Sequence, residues 1–222
     1  ALDLPAGQKV LLIECGWHAN EFIAKAYADA ATQVCPSVKV VTLDGRKADD
    51  RKIAWASADV FCSLSDNIQE TFGLTPIEAM AASLPLVVSD WDGYKDTVRH
   101  EVDGFRIPTT MPAAGLAGDL AYRHALGIDN YDMYCGHTCS LIAVDIEAAA
   151  LAFEKLFASK ELRESMGAEG RARAQQVYDW RVIIAQYEGL WAEQQRLRLV
   201  AQGASRPSET ATTNNLNSAA WP

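Results

Sequence analysis

A polar loop that leads into a short helix contains the residues best suited to bind a ligand. It occupies residues 63–81, between a predicted strand and a predicted helix. Gly73 permits a close backbone approach, and Pro76 suits the first helical position because its missing N–H would be unpaired there. Unpaired amides at a helix N-terminus, aided by the helix dipole, bind phosphate groups. The predicted phosphate receptor consists of the backbone amides of Phe72, Gly73, Leu74 and Thr75.

Two carboxylates flank this turn, Glu70 before it and Glu78 within the predicted helix. Carboxylates bind the hydroxyls of a sugar or ribose as paired hydrogen-bond acceptors. Each glutamate also has a structural interpretation. Thr75-Pro-Ile-Glu78 matches a capping box, in which Glu78 bonds to the Thr75 backbone, and Glu70 would be a solvated loop charge. The residues alone leave these alternatives open.

Short apolar runs alternate with helical patterns through the first half of the chain. The runs predict buried strands at residues 9–15, 38–43, 59–64 and 85–90. Helical spacing of apolar residues predicts helices at about residues 20–36, 48–58 and 75–83. Such alternation is typical of parallel βαβ units, so we expect an α/β fold with a doubly wound parallel sheet. The loop at 63–81 then lies at the carboxyl ends of the strands, where such sheets bind ligands.

The later part of the chain is mainly helical after a last predicted strand at 104–108. The tail is rich in Ser, Thr, Asn and Ala, a composition that favours disorder. We predict four segments: an α/β unit at 1–110, an insertion of uncertain structure at 111–143, C-terminal helices packing on the α/β unit at 144–202, and a disordered tail at 203–222.

The composition argues against several classes of protein. The chain has 222 residues, with 20 Lys and Arg against 29 Asp and Glu and a formal net charge of −9. This acidic balance, without a run of basic residues, argues against a nucleic-acid ligand. No apolar stretch approaches the roughly 20 residues of a membrane-spanning helix. The five Cys residues favour a reducing compartment, so we expect a cytoplasmic protein.

The central motif is similar to that of a known enzyme family. Glu70-x-Phe-Gly-Leu-x-x-x-Glu78-Ala-Met-Ala resembles the Glu-x7-Glu signature of retaining glycosyltransferases of the glycosyltransferase 4 group, which have the two-domain GT-B fold. Further matching segments are Ala58-Asp-Val-Phe61, Leu84-Pro-Leu-Val-Val-Ser-Asp90, Asp92-Gly-Tyr-Lys-Asp96 and Val102-Asp-Gly-Phe-Arg-Ile-Pro108. The resemblance extends over residues 9–200 and is weakest in 111–143.

The resemblance implies a role for each matched residue. Glu70 would lie beside the donor sugar, and Glu78 would hold the ribose hydroxyls of the nucleotide. The amides of residues 72–74 would take the diphosphate, and Gly45-Arg46-Lys47 would frame the base. Fixed amide donors would stabilise the charge that develops on a departing diphosphate. The implied fold is a Rossmann-like unit with a C-terminal helical extension, one half of a GT-B fold.

The implied activity is transfer of a hexose from a nucleoside-diphosphate sugar to an acceptor, in cell-wall or other cell-surface glycan synthesis. An acceptor-binding domain would precede this chain, and any peripheral contact with the inner face of a membrane would be made through it. The family's Arg and Lys that clamp the diphosphate have no match before Lys9, and Asp96 stands where Glu is usual. We therefore expect the chain to bind a donor and to lack transferase activity by itself.

Two other classes stay open on the residues alone. The chain could be a non-catalytic module that binds a nucleotide sugar. Alternatively, Glu70 and Glu78 could be the paired carboxylates of a retaining glycosidase, which lie about 5 Å apart. Their placement at a phosphate-type turn argues against the glycosidase.

Two motifs have the residue types of metal sites. Asp90-Trp-Asp92 has the Asp-x-Asp form by which a different glycosyltransferase fold binds a divalent metal, but the matched family is metal-independent. Cys135-Gly-His-Thr-Cys139 offers three soft ligands, whereas zinc normally takes four at other spacings. We expect no metal and no cofactor, with the nucleotide sugar as substrate.

Overall fold

Parallel strands alternate with helices through the first half of the chain, as the apolar runs predict. The structure, a computed structural model, describes residues 9–204. Its strands are β1 (Leu11–Gly16), β2 (Lys39–Asp44), β3 (Phe61–Ser63), β4 (Leu86–Ser89), β5 (Gly104–Ile107), β6 (Thr109–Thr110) and β7 (Ala143–Val144). The first five lie where the sequence predicts strands. The last two contain only two residues each, too few for a periodic signal.

Helices follow the strands and then take over the second half. They are α1 (Glu21–Val34), α2 (Ala48–Ser57), α3 (Leu74–Ala81), α4 (Tyr94–Thr97), α5 (Gly118–Ala125), α6 (Tyr131–Cys139), α7 (Ile146–Ala158), α8 (Lys160–Arg173) and α9 (Trp180–Ala204), with a π-helical turn at Ala174–Tyr178. Local capping explains several starts. The side chains of Asn20 and Asp145 accept hydrogen bonds from the amides of Ile23 and Ala148, both at 2.9 Å.

The strands form three separate sheets within the described residues. β1 and β2 are parallel, β3, β4 and β5 form a parallel sheet in that order, and β6 pairs antiparallel with β7. The predicted α/β class with parallel strands and a helical extension is confirmed. The strands expected in one sheet nevertheless form two. β3 contributes only three residues and, in the part of the chain that the structure describes, pairs with β4 alone.

The main hydrophobic core packs against β4, the central strand of the three-stranded sheet. All four residues of β4 are buried, as expected for a strand covered on both faces. α7 and α8 cover this sheet through one cluster of buried side chains, which contains Val87, Phe105, Ile107, Ala149, Ala152, Leu156 and Met166. The loop between β3 and α3 therefore joins a buried sheet to a helix, and packed elements hold both of its ends.

The insertion at 111–143, which the sequence left unassigned, contains α5 and α6. A buried ion pair joins their ends: Asp129 is 1% exposed and accepts from Arg123 at 2.8 Å through both oxygens. The described residues divide into two compact units, the first ending at Gln176 and the second beginning at Val177. The predicted tail begins inside α9, and its residues 205–222 lie outside the described part. No helix of residues 9–204 combines the length and apolar character needed to cross a membrane.

Candidate functional site

The predicted phosphate turn lies between β3 and α3. Gly73 has a φ of +75° and is the N-cap of α3. It is buried, and a Cβ at this position would overlap the ring of Tyr94. The positive φ and the lack of space both require glycine here. α3 therefore begins at Leu74. Pro76, which the sequence predicts at the first helical position, is the third residue of the helix.

The backbone amides of this turn are available to a ligand. Within residues 9–204, the N–H groups of Gly73, Leu74 and Thr75 donate to no protein acceptor. Leu74 and Thr75 are exposed and belong to the first helical turn, whose N–H groups have no partner inside the helix. These donors, at the positive end of the helix dipole, suit an anion such as phosphate. Phe72, which precedes them, has a side chain that is 48% exposed.

Glu78 is not part of a capping box. Thr75 lies inside α3 instead of capping it, and the N-cap Gly73 receives no side-chain hydrogen bond. Glu78 is exposed on the same short helix, and in the described residues its carboxylate accepts no hydrogen bond from the protein. The carboxylate is therefore free to accept hydrogen bonds from a ligand.

Glu70 is held in place rather than solvated. Its backbone N–H donates to the Asn67 carbonyl at 3.0 Å, and its carbonyl accepts from the Gly93 N–H at 3.3 Å. The side chain is half-buried, and its Oε1 would lie 3.4 Å from a Cβ built on Gly73. The Glu70 carboxylate therefore lies near the amide turn and is only partly exposed, which favours a ligand role over that of a solvated loop charge.

Tyr94 packs against the turn at Gly73, although the sequence analysis assigns it no individual role. It is 1% exposed, and its hydroxyl lies 2.8 Å from the Ser63 Oγ. Thr75 and Glu70 lie close to this phenol. Burial raises the pKa of Tyr94 above its ordinary value, and the negative charge of Glu70 acts in the same direction. The only sequence signal was its place after Gly93 in a segment that matches the family.

The loop before Glu70 is anchored to the end of β4. The Ser89 hydroxyl donates to the Ser65 carbonyl at 2.5 Å, and the Trp91 indole N–H donates to the Asn67 carbonyl at 2.8 Å. Trp91 is 7% exposed, so the centre of the Asp90-Trp-Asp92 triplet is a structural anchor. Asp90 faces Arg106, with 3.4 Å between its Oδ1 and the guanidinium Nε. The triplet thus supports the loop through its central residue.

α6 borders the same loop from the other side. Cys135 is buried, and its thiol lies near the Tyr131 phenol and raises the pKa of that group. Gln69 lies near the same phenol. Burial raises the pKa of the Cys139 thiol, and the adjacent charge of Asp66 raises it further. A protonated thiol is a poor metal ligand. Among residues 9–204 the structure contains no group of three or more His, Cys, Asp or Glu side chains that could hold a metal ion.

The turn at residues 45–47 is held by hydrogen bonds to the strands and the helix next to it. The Arg46 guanidinium bonds to both oxygens of Asp44, at 2.9 and 3.0 Å, and Arg51 donates to the Gly45 carbonyl at 2.6 Å. The Gly45 N–H donates to the Gly16 carbonyl at 3.0 Å. In the described residues the hydrogen-bond partners of this turn belong to β1, β2 and α2. They include no residue of the 70–78 segment, so a common site of the two turns stays a prediction.

Replacing Arg46 by alanine should raise the pKa of Asp44 from about 2 towards its ordinary value of 3.8. The hydrogen bond from the Arg46 side chain is the largest cause of the low pKa. Because the folded-state pKa is lowered, the interaction is complete above pH ~4 and is lost as the pH falls towards 2. Carboxyl NMR titration measures this directly. Lys47→Ala is the control, and an equal change there would show that general positive charge sets the pKa.

Comparison with known proteins gives the family. Residues 9–121 match the family model described as "Glycosyl transferases group 1". An uncharacterized glycosyltransferase of Methanocaldococcus jannaschii is 41% identical over 74 residues, which are 33% of this chain and 18% of that protein. A phosphatidyl-myo-inositol mannosyltransferase of Mycobacterium tuberculosis is 31% identical over 136 residues, 60% of this chain and 27% of that protein. The matched segments thus span about a quarter or less of these relatives.

Solved structures show the same fold at low sequence identity. The Anabaena protein HepE in complex with UDP has a TM-score of 0.57 and 18% identity, over 86% of this chain and 42% of that one. Sucrose-phosphate synthase from Thermosynechococcus elongatus has a TM-score of 0.53 and 20% identity, over 85% of this chain and 39% of that one. At these identities the likeness shows the fold alone: this chain has the fold of a part of each protein, about two fifths of its length. On the match of residues 9–121, the chain belongs to the family of glycosyl transferases group 1.

Proposed function

We propose that this chain is the donor-binding domain of a retaining glycosyltransferase that uses a nucleoside-diphosphate sugar. The observation that carries this is the set of unpaired amides at Gly73, Leu74 and Thr75, with Glu70 and Glu78 on either side. The amides bind the diphosphate, Glu78 accepts hydrogen bonds from the ribose hydroxyls, and Glu70 lies beside the sugar. The turn at 45–47 frames the base.

The chemistry follows from stabilising the leaving group. The bond between the anomeric carbon and the diphosphate oxygen breaks, and the electron pair leaves with the diphosphate. Fixed amide donors stabilise that developing charge, because they are already oriented before the reaction. The acceptor hydroxyl attacks the same face of the sugar, and its proton passes to the departing phosphate oxygen. Configuration is retained, and no protein nucleophile is needed.

The acceptor is bound by a second domain, preceding this one, in the proposed enzyme. The curated relatives are several times longer than the segments they share with this chain, which supports that division. The mycobacterial relative is named for phosphatidyl-myo-inositol, a lipid. This supports an acceptor in cell-surface glycan synthesis, with any contact to a membrane made through the acceptor domain.

Calorimetry with UDP, GDP and ADP tests the proposal on the 222-residue chain. We expect one of the three to bind, and Glu78→Gln to weaken its binding about 10–100-fold, since a hydrogen bond to a charged group contributes roughly 1.5–3 kcal/mol. Glu188→Gln is the matched control, because Glu188 is another exposed glutamate in a helix. It should leave the affinity unchanged.

Three results would contradict parts of the proposal. Absence of binding to all three diphosphates would remove the assignment of the amide turn. Equal affinity of the Glu78→Gln variant would remove the ribose role. Cleavage of an aryl glycoside without any nucleotide, lost in Glu70→Gln, would instead favour the glycosidase.

A further inference from the structure

The two parallel sheets each end in a strand whose outer edge has no partner. Among residues 9–204, β1 pairs with β2 alone, and β3 pairs with β4 alone. In a parallel ladder, successive residues direct their backbone N–H and C=O groups to opposite sides of the strand. The Gly16 carbonyl accepts from Gly45, which follows β2, and the Phe61 N–H donates to Pro85, which precedes β4, both at 3.0 Å. The residues that face outwards are therefore Leu11, Ile13 and Cys15 of β1 and Cys62 of β3.

One helix, α2, packs against both sheets. It contacts β1 and β2, and the ring of its Trp55 lies 5.7 Å, centroid to centroid, from the ring of Phe61 in β3. The chain runs from β2 through α2 to β3, so this helix is the crossover between the two sheets. Because one helix reaches both sheets, the outer edges of β1 and β3 border the same space.

The pairing of the five parallel strands fits a sheet that contains one strand more. The usual order of a six-stranded doubly wound sheet is 3-2-1-4-5-6. If β1 to β5 are strands 2 to 6 of such a sheet, they reproduce each neighbouring pair that does not involve strand 1. We propose that β1 and β3 flank the position of one further parallel strand, here called the joining strand, which unites the two sheets.

The burial of the first elements agrees with a joining strand. Of the described residues before Gly73, none is buried, whereas all four residues of β4 are. Leu11 in β1 is 50% exposed, and Ile53 in α2 is 53% exposed. Parallel strands are normally buried on both faces. β1, β2 and the two helices that follow them therefore need a further element to complete their core.

The position determines the chemistry of its occupant. A strand paired on both edges and covered on both faces is a short apolar run rich in β-branched residues, as in β4. A parallel connection takes a dozen or more residues, and ten residues precede Leu11. Residues 205–222 are mostly Ser, Thr, Asn and Ala and contain no apolar run. The joining strand is therefore supplied by polypeptide other than these 222 residues.

The joining strand also bears on the candidate site. Doubly wound sheets bind ligands at the carboxyl ends of the strands where the strand order reverses, which is between strands 1 and 4. β3, in position 4, ends at Ser63, where the loop to the amide turn begins. The loop after the joining strand therefore lies beside the proposed donor site. This consequence rests on the proposed function, whereas the strand pairing does not.

A covalently attached strand tests the pairing. The probe is the 222-residue chain extended before Ala1 by the sequence of residues 85–90 and six Gly and Ser residues, so that the return to β1 exceeds a dozen residues. We expect the amides of Ile13, Cys15 and Cys62 to exchange about tenfold more slowly than in the unextended chain, measured by NMR hydrogen exchange. In the unextended chain, Leu12 and Glu14, which bond to β2, should exchange more slowly than Ile13 and Cys15.

The control extension has the second valine of the added strand replaced by proline, which has no N–H and is excluded from central strands. It should leave the three exchange rates as they are in the unextended chain. Equal protection by both extensions, or by neither, would overturn the proposal. So would equal exchange along β1 in the unextended chain, or a dimer of the extended chain in analytical ultracentrifugation. If no nucleoside diphosphate binds and the amides are still protected, the proposed function fails and the joining strand stands.

Discussion

Replacing Gly73 by alanine is expected to cost about 2–5 kcal/mol of stability and to abolish nucleotide binding. The positive φ of 75° costs a side chain roughly 1–2 kcal/mol. The new Cβ would also overlap the buried Tyr94 ring, and overpacking of this kind costs about 1–3 kcal/mol. Either the turn or the ring must move, and both carry the proposed site. Urea unfolding measures the first effect, and calorimetry with nucleoside diphosphates measures the second.

Gly127→Ala is the matched control for this prediction. Gly127 has a φ of +69°, but a Cβ there would meet no atom within 4 Å. This control therefore introduces the strain of a positive φ without a steric overlap. It should lower the free energy of unfolding by about 1 kcal/mol and leave nucleotide binding unchanged. If the two variants lose the same stability and bind equally well, the contact with Tyr94 does not define the turn.

Replacing Asp103 by alanine is expected to cost about 1.5–3 kcal/mol, the usual contribution of hydrogen bonds to a charged group. Asp103 is fully buried and accepts from the Arg99 Nη2 at 2.6 Å and from the Arg99 backbone N–H at 3.0 Å. Arg173 of α8 lies 3.9 Å away and donates to the carbonyls of Asp96 and Thr97, both at 3.0 Å. The carboxylate therefore supports the end of α4, the helix that begins with Tyr94.

The free energy of unfolding of Asp103→Ala should be compared with that of Asp29→Ala. Asp29 also forms an ion pair, with Lys25 at 2.7 Å, but both side chains are at least 65% exposed. Exposed pairs contribute less than about 1 kcal/mol, because water solvates the separated charges almost equally well. Similar losses in the two variants would mean that burial of Asp103 adds nothing to the strength of its interactions.

The net charge of −9 is compatible with a phosphate site of this design. The proposed donors are backbone amides at the start of α3, which carry no formal charge and need no basic patch. The acidic balance therefore argues against polyphosphate ligands and leaves a single diphosphate acceptable. Within the described residues, one cation of the turn at 45–47 bonds to a carboxylate: Arg46 donates to both oxygens of Asp44.

The sequence by itself determined the local features of this protein. The periods of apolar residues placed β1 to β5 and α1 to α3, and Asn20 and Asp145 cap α1 and α7 as their side chains predict. The sequence also placed Glu70 and Gly73 between a strand and a helix, and Glu78 within that helix. These features depend on residues a few positions apart, whose spacing and chemistry are visible in the chain.

The tertiary structure decided everything that depends on residues far apart in the chain. The local pattern favoured Thr75 as the N-cap of α3. The true N-cap is Gly73, where the ring of Tyr94, 21 positions further along the chain, leaves no room for a side chain. The division of the parallel strands into two sheets depends on which strand edges meet, and α6 of the insertion lies near Asp66 and Gln69. No local period records such contacts, because they form only when separate elements pack together.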